Sequence, residues 1–117
     1  MSDIIPGVIE WNIIQGDALD DEVLLEGYSL AGKKVAMDVK EDPESGPILR
    51  FRSDDGSIVI DPWGGDWLLT FKKTSLEMKV PDGRYLLDIE AYTTDEDTRT
   101  FARGTMIIQK EITQREK

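Results

Sequence analysis

The sequence predicts an immunoglobulin-like antiparallel β-sandwich of about seven to eight strands. Three observations lead to this prediction. Residues 80–92 form a turn followed by a strict period-two pattern, other short alternating segments recur along the chain with turn residues between them, and no stretch has a helical periodicity of comparable strength.

Residues 80–92 are predicted to form the central strand. The turn Pro81-Asp82-Gly83 precedes a segment in which alternate residues are apolar: Tyr85, Leu87, Ile89 and Ala91. A Gly-x-Tyr at the start of such a strand is typical of a tyrosine corner, in which the phenol donates a hydrogen bond back to the preceding connection. Tyr85 is therefore the candidate for this structural role.

The remaining strands are predicted from alternation and from the turn residues that bound them. Residues 53–57 contain Asp-Gly and predict a hairpin turn, with 58–60 as the return strand. Residues 72–79 fit either a strand or a short helical turn that crosses between sheets. Gly104, inside the last strand, indicates a bulge or a close backbone approach. The predicted strands are 8–14, 23–25, 33–40, 48–52, 58–60, 67–71 and 100–109.

Length and composition restrict the classes of function. A chain of 117 residues predicts one domain over 1–117, with 110–117 as a charged tail. The chain has no cysteine and no histidine, which removes disulfides, thiolate zinc sites, Ser-His-Asp triads and imidazole acid–base catalysis. Carboxylates, lysines, tyrosines and hydroxyls remain, so enzymes are disfavoured without being excluded. We expect a non-enzymatic protein that needs no cofactor.

Charge argues against two kinds of partner. The net charge of −10 repels phosphate backbones and anionic lipids, so we expect neither a nucleic-acid nor a membrane partner. The beginning of the chain lacks a basic segment followed by an apolar one, which predicts a protein made in the cytoplasm.

Two stretches offer candidate ligand sites. Trp63, Asp66 and Trp67 surround a double glycine, and aromatic side chains on such a loop can stack on sugars, with acids as hydrogen-bond partners. The alternative is that Trp67 belongs to the core and Trp63 covers an open end of the sandwich. Residues 17–22 are rich in acids but lack the spacing of a calcium loop, so a solvated acidic loop is the preferred interpretation.

The order of these motifs resembles a family of small tailed-bacteriophage proteins, the immunoglobulin-like modules encoded among tail and baseplate genes. The resemblance covers roughly residues 9 to 114 and includes Gln15-Gly16-Asp17 after the first strand, Ser29-Leu30-Ala31-Gly32-Lys33 before an alternating strand, and the hairpin Asp55-Gly56-Ser57-Ile58. It ends with Pro81 to Ile89, Gly104-Thr105 and Glu111-Ile112-Thr113. Ser29 and Ala31 depart from the aspartate and threonine of relatives, as does the loop 61–67.

The resemblance implies a virion structural or adaptor protein of the tail or baseplate region, made in the bacterial cytoplasm. Its partners would be other virion structural proteins or further copies of itself. The family brings no catalytic residues. The alternative function is a small carbohydrate- or cell-surface-binding module that uses Trp63, Asp66 and Trp67.

Overall fold

A computed structural model describes residues 7–93 and 97–112. Within them the chain forms eight β-strands and one short 3₁₀ turn, η1, at Ser53–Asp55. The strands are β1 (Gly7–Ile14), β2 (Leu19–Leu25), β3 (Lys34–Lys40), β4 (Pro47–Arg52), β5 (Ile58–Trp63), β6 (Asp66–Lys73), β7 (Gly83–Tyr92) and β8 (Thr98–Gln109). In the same residues, no helix has the length and apolar character to cross a membrane.

The strands form two sheets. The five-stranded sheet has the order β1-β8-β7-β3-β4, and the three-stranded sheet has the order β2-β6-β5. β1 runs parallel to β8, and every other pair is antiparallel. This strand order is that of an immunoglobulin-like sandwich, so the predicted fold class is confirmed. The predicted central strand is β7, the middle strand of the larger sheet.

The core lies between the inner faces of the two sheets. Phe71 of β6 is fully buried and packs edge-on against Trp11 of β1 and Phe51 of β4, with ring centroids 5.4 and 6.0 Å away. Trp11 and Phe51 sit near opposite edges of the five-stranded sheet. Phe71 therefore joins the two sheets in a chain that has no cysteine for a disulfide between them.

Tyr85 lies at the start of β7 with its ring buried. Its hydroxyl donates a 2.6 Å hydrogen bond to the carbonyl of Pro81, four residues upstream. Burial, followed by the nearby charges of Glu41 and Asp82, raises the pKa of the Tyr85 phenol. The bond ties the turn before β7 to the end of the sandwich, which is the geometry of a tyrosine corner.

Gly104 lies where the two parallel strands meet, opposite Ile9. A Cβ atom on Gly104 would lie 1.7 Å from the Ile9 carbonyl oxygen, so no other residue fits while β1 keeps its position. The predicted close backbone approach is confirmed. The bulge of β8 lies elsewhere, where the pairing with β7 shifts between Ile89 and Glu90.

The prediction of a hairpin at 53–57 was wrong. β4 and β5 belong to different sheets, and β5 pairs with β6. The 3₁₀ turn and Gly56, with a φ of 84°, carry the chain across the sandwich. Asp-Gly supplies a tight turn, but because Phe51 and Ile58 are both buried, the two strands pack face to face instead of pairing.

Two further expectations change in the structure, and the alternative left open for residues 72–79 is decided. The loop expected at 61–66 is mostly strand, because Gly64 and Gly65 have positive φ and close a two-residue turn between β5 and β6. The acidic residues from Asp20 onward lie in β2, which pairs with β6 on one side and forms an edge of the three-stranded sheet on the other. Residues 74–78 form one helical turn between the sheets, closed by reciprocal hydrogen bonds between Thr74 and Glu77, as one of the two alternatives predicted.

Residues 113–117 of the predicted charged tail lie outside the described residues.

Candidate functional site

Trp63 and Trp67 point to opposite sides of the three-stranded sheet. In the β5–β6 register Trp63 pairs with Asp66, and Pro62 pairs with Trp67. Because side chains alternate along a strand, Trp67 shares the inner face with Leu69 and packs against the core, while Trp63 faces outward and is 61% exposed. The two indoles therefore do not form a common stacking platform, and Trp63 and Asp66 remain together on the outer surface.

The outer side of the three-stranded sheet, which we call the acidic face, combines carboxylates with apolar side chains. Leu24 of β2 is 44% exposed and pairs across to Leu68, and Trp63 lies at the hairpin end of the same surface. By the strand registers the face consists of Asp20, Glu22, Leu24, Val59, Asp61, Trp63, Asp66, Leu68, Thr70 and Lys72. It holds four acids and one lysine.

The outer side of the five-stranded sheet, which we call the basic face, has the opposite balance. The registers place six cationic side chains on it, although acids outnumber bases in the chain by 24 to 14. The cations are Lys34, Lys40, Arg50, Arg52, Arg84 and Arg103, and the anions are Glu10, Asp38, Asp88 and Glu90.

Part of the charge on the basic face is paired internally. Arg52 lies 2.9 Å from an oxygen of Asp38, and Arg50 lies 3.5 Å from the same atom. Burial raises the pKa of the Glu90 carboxyl, and the neighbouring charges of Asp88 and Asp38 raise it further. Three of the four acids of this face, Asp38, Asp88 and Glu90, therefore lie close together on β3 and β7.

A groove of about 720 Å³ crosses the basic face, with Pro43 in its wall. Val8, 88% exposed, and Leu86, 41% exposed, give it an apolar floor. Lys40 pairs across from Leu86, and Arg84 precedes it by two residues on the same face. Arg103 also lines the groove, together with the acids Asp38, Asp88 and Glu90. None of these three cations has an ion pair within residues 7–93 and 97–112.

A second pocket, of about 560 Å³, lies at one end of the sandwich beside Gly56 and Thr74. Three of its charged groups have partners, and Lys73 lies 3.6 Å from Glu77 and over the ring of Phe51. Asp55 accepts hydrogen bonds from the side chain and backbone of Ser57, which lower the pKa of its carboxyl. These contacts hold the β4–β5 connection in place.

The acids of β2 do not form a metal site. Over the described ranges no three potential ligands converge. Asp20 and Glu22 point outward while Asp21 alternates to the other side, so the strand separates the carboxylates that a calcium ion would need together.

The four sheet edges differ in their protection against strand pairing. β5 contains Pro62, β4 begins at Pro47, and β2 carries three consecutive acids at 20–22, all of which discourage added strands. β1 is eight residues long and has one charged side chain, Glu10. Within the described part of the chain, β1 is the edge that lacks such protection.

One hydrogen bond shows which backbone groups of β1 point away from β8. The amide of Gln15 donates to the carbonyl of Gln109, continuing the contact of β1 with β8. Because backbone groups alternate in direction along a strand, the amides of Val8, Glu10 and Asn12 point away from β8. Together with the carbonyls of the same residues, these amides form a row of hydrogen-bond donors and acceptors along the edge of the sheet.

No family model matches this sequence, and no curated protein matches it significantly. Among solved structures, the fold is similar to the extracellular domains of the voltage-gated sodium channel beta4 subunit, described as parallel homodimers: 8% identity, TM-score 0.39, covering 96% of this chain and 99% of that one. The natural killer cell receptor NKp44 is similar at 14% identity and a TM-score of 0.46, covering 90% of this chain and 99% of that one. At such values we take no functional argument from either structure.

The loop around Trp63 was a candidate site from the sequence, whereas the groove around Leu86 was not predicted. The signal was present in the alternation of residues 83–92, which puts Arg84, Leu86 and Asp88 on one face. Which cations of β3 and β8 join them depends on the pairing of the strands, and the sequence does not state that pairing.

Proposed function

We propose that this protein is a non-enzymatic assembly module that binds other proteins through its outer surface. The observation that carries the proposal is the unprotected edge of β1. An eight-residue edge with one charge can accept an extended segment of a partner by backbone hydrogen bonding, whereas the other three edges carry proline or acids that oppose it.

The setting that we propose is the tail or baseplate region of a bacteriophage or prophage particle. Its support is the resemblance of residues 9 to 114 to the immunoglobulin-like modules of that family, in the order of their turn and strand motifs. An assembly role agrees with a small sandwich whose free polar and apolar groups lie on edges and faces. The partners would then be other structural proteins of the particle.

Cross-linking from β1 tests this proposal in the cell that makes the protein. A photo-reactive amino acid at Asn12, whose backbone faces outward, should give adducts with tail or baseplate proteins. The matched control is the same group at Asp21, on the acid-protected edge of β2, which should give few adducts. Adducts at both positions in equal amount, or absence of the protein from particles, would contradict the proposal.

A proline substitution separates backbone pairing from side-chain contact. Asn12→Pro removes one outward amide without breaking the β1–β8 ladder, so it should abolish co-assembly while the protein stays folded. Asn12→Ala removes the same side chain, keeps the amide, and should leave co-assembly intact. If the two variants behave alike, the edge of β1 does not mediate the contact.

The carbohydrate-binding alternative depends on Trp63 with Asp61 and Asp66, since Trp67 packs inward. An exposed indole beside two acids is the feature that favours it. A glycan array with the wild-type protein and Trp63→Ala distinguishes it: glycan binding that disappears in the variant would support a lectin role over the assembly role.

A further inference from the structure

We propose that β1 of one copy of this protein pairs in antiparallel orientation with β1 of a second copy, so that two five-stranded sheets join into one ten-stranded sheet. The proposal rests on the proposed function and deepens it, because it names the extended segment that the edge of β1 accepts. The argument comes from the backbone directions and the order of side chains in this one strand.

The backbone of β1 limits how two copies can pair. Its outward amides and carbonyls belong to the even-numbered residues, because Gln15, and with it the odd-numbered residues, faces β8. An antiparallel ladder needs outward groups opposite outward groups, so each even-numbered residue must face an even-numbered residue of the second copy. Only a few registers meet this condition within residues 7–14.

The side chains of β1 favour one of the permitted registers. With the two-fold axis at Trp11, Val8 faces Ile14 of the second copy and Glu10 faces Asn12, so all four outward-facing residues have a partner. With the axis at Glu10, the two Glu10 carboxylates would lie directly opposite and Ile14 would extend beyond the ladder. Opposed apolar pairs stabilise a sheet and opposed like charges destabilise it. The strand is therefore complementary to itself in the first register.

The apolar side chains of β1 support the same contact. Val8 is 88% exposed and Ile14 is 39% exposed, both on the outer side of the sheet. In the proposed register they cover each other at both ends of the ladder. On the inner side, Ile9 faces Ile13 of the second copy, and both residues already pack in or against the core. Pairing would therefore remove apolar surface from water on the outer side and extend the core on the inner side.

Glu10 and Asn12 provide a polar contact at the centre of the ladder. The Asn12 amide already donates to the Glu10 carboxylate of its own strand, at a length of 3.5 Å. Residues two apart along a strand are separated by about 7 Å, whereas hydrogen-bonded partners across an antiparallel ladder are separated by about 5.5 Å between Cα atoms. The same donor and acceptor should therefore meet more closely across the interface than within one strand.

The expected product is a closed dimer. A two-fold contact uses the β1 edge of both copies, and the remaining edges carry proline or consecutive acids that discourage further pairing. A two-fold axis perpendicular to the sheet also keeps the inner faces of both copies on the same side. No larger series of oligomers should form.

Charge substitutions at Asn12 test the contact by analytical ultracentrifugation over a concentration series. In Asn12→Lys, each Glu10 would face a lysine of the second copy, and in Asn12→Glu each would face a glutamate. Because either pair occurs twice in the dimer, the lysine variant should dimerise on the order of tenfold more tightly than the glutamate variant, with wild type between them. The control Glu44→Gln, in the exposed loop between β3 and β4, changes the net charge as much as Asn12→Lys and should stay close to wild type.

Single cysteines test the register, because the natural chain has none. Residue 10 of one copy and residue 12 of the other should be about 5.5 Å apart between Cα atoms, which suits a disulfide. Identical residues lie on the diagonal, about 7–8 Å apart. An oxidised equimolar mixture of Glu10→Cys and Asn12→Cys should therefore form linked dimers faster than either variant alone. Faster linking of Glu10→Cys with itself would contradict the register.

Two results would overturn the inference: a wild-type protein that stays monomeric throughout the series, or an Asn12→Lys variant that associates no more tightly than Asn12→Glu. If wild type is monomeric and Asn12→Pro still abolishes co-assembly, β1 binds a different protein. The inference then fails and the proposed function stands. If Asn12→Pro leaves co-assembly intact, the proposed function itself fails.

Discussion

The two sheets differ in how many of their strands are paired on both sides and in how many of their charged side chains have partners within the sheet. The five-stranded sheet has three strands paired on both sides, holds Arg50 and Arg52 against Asp38, and is closed at one end by the Tyr85 hydrogen bond. The three-stranded sheet has one such strand, β6, between two edges, and its outer charges are almost all acids without ion pairs. The larger sheet is thus the framework, and the smaller sheet depends on the core beneath it.

Phe71 should be the position where this dependence is greatest. Phe71→Ala removes the ring that contacts Trp11 and Phe51 across the core, and we expect a loss of about 3–5 kcal/mol in the free energy of unfolding. Urea denaturation measures it. Leu68→Ala, on the outward side of the same strand, is the control and should cost about 1 kcal/mol or less. Equal losses would mean that β6 does not join the sheets through its inner face.

Gly104→Ala should detach β1 from the larger sheet. The new Cβ would lie 1.7 Å from the Ile9 carbonyl oxygen, and backbone cannot shift as a flexible side chain can. We expect a loss of about 1–3 kcal/mol, with hydrogen exchange of β1 amides accelerated while β3 and β7 remain protected. Thr105→Ala is the neighbouring control and should leave β1 protected. Unchanged exchange in the Gly104 variant would contradict the described β1–β8 contact.

Tyr85→Phe tests the closed end of the larger sheet. Loss of the hydrogen bond to Pro81 should cost about 1 kcal/mol near neutral pH, measured by thermal or urea unfolding. Burial raises the pKa of the Tyr85 phenol, so the folded state favours its neutral form. The wild-type protein should therefore lose stability as the pH rises above the ordinary value of 10.0, whereas Tyr85→Phe has no phenol there to ionise. The difference in the free energy of unfolding between the two proteins should become smaller in that pH range.

Tyr92→Phe is the control for Tyr85, since the Tyr92 hydroxyl has no hydrogen bond to another described residue. It should change stability little at neutral pH. A cost equal to that of Tyr85→Phe would show that the Pro81 hydrogen bond is not what stabilises this end.

Glu90→Gln is expected to have the smallest effect, and in the opposite direction. Burial and the charges of Asp88 and Asp38 raise the pKa of Glu90, so its ionised form is less favourable in the folded than in the unfolded chain. The wild-type protein therefore loses stability as the pH rises above the ordinary value of 4.5, and the variant should melt slightly higher at neutral pH. The difference should vanish in more acidic solution, and a difference independent of pH would contradict this cause.

The inward-facing residues could be read from the sequence because one buried face forces strict alternation. Val35, Met37 and Val39, like Leu87 and Ile89, alternate with polar residues and are all buried. The partners of each strand could not be read in the same way. Asp-Gly at 55–56 favours a tight turn whether the next strand pairs in the same sheet or crosses to the other, and the outcome depends on long-range packing of Phe51 and Ile58.

The candidate site, too, could be predicted only in part from the sequence. Trp63 and Asp66 could be proposed from their place beside a double glycine, but the inward direction of Trp67 required the extension of β5 and β6 up to the turn. The cations near Leu86 come from three strands that are distant in sequence, so no local pattern joins them.

The most direct test of the account is hydrogen exchange of the Val8, Glu10 and Asn12 amides, measured in the free monomer and in the assembled particle. The account predicts that these outward amides of β1 exchange rapidly in the free monomer and become protected on assembly. Equal exchange in the two states would contradict it.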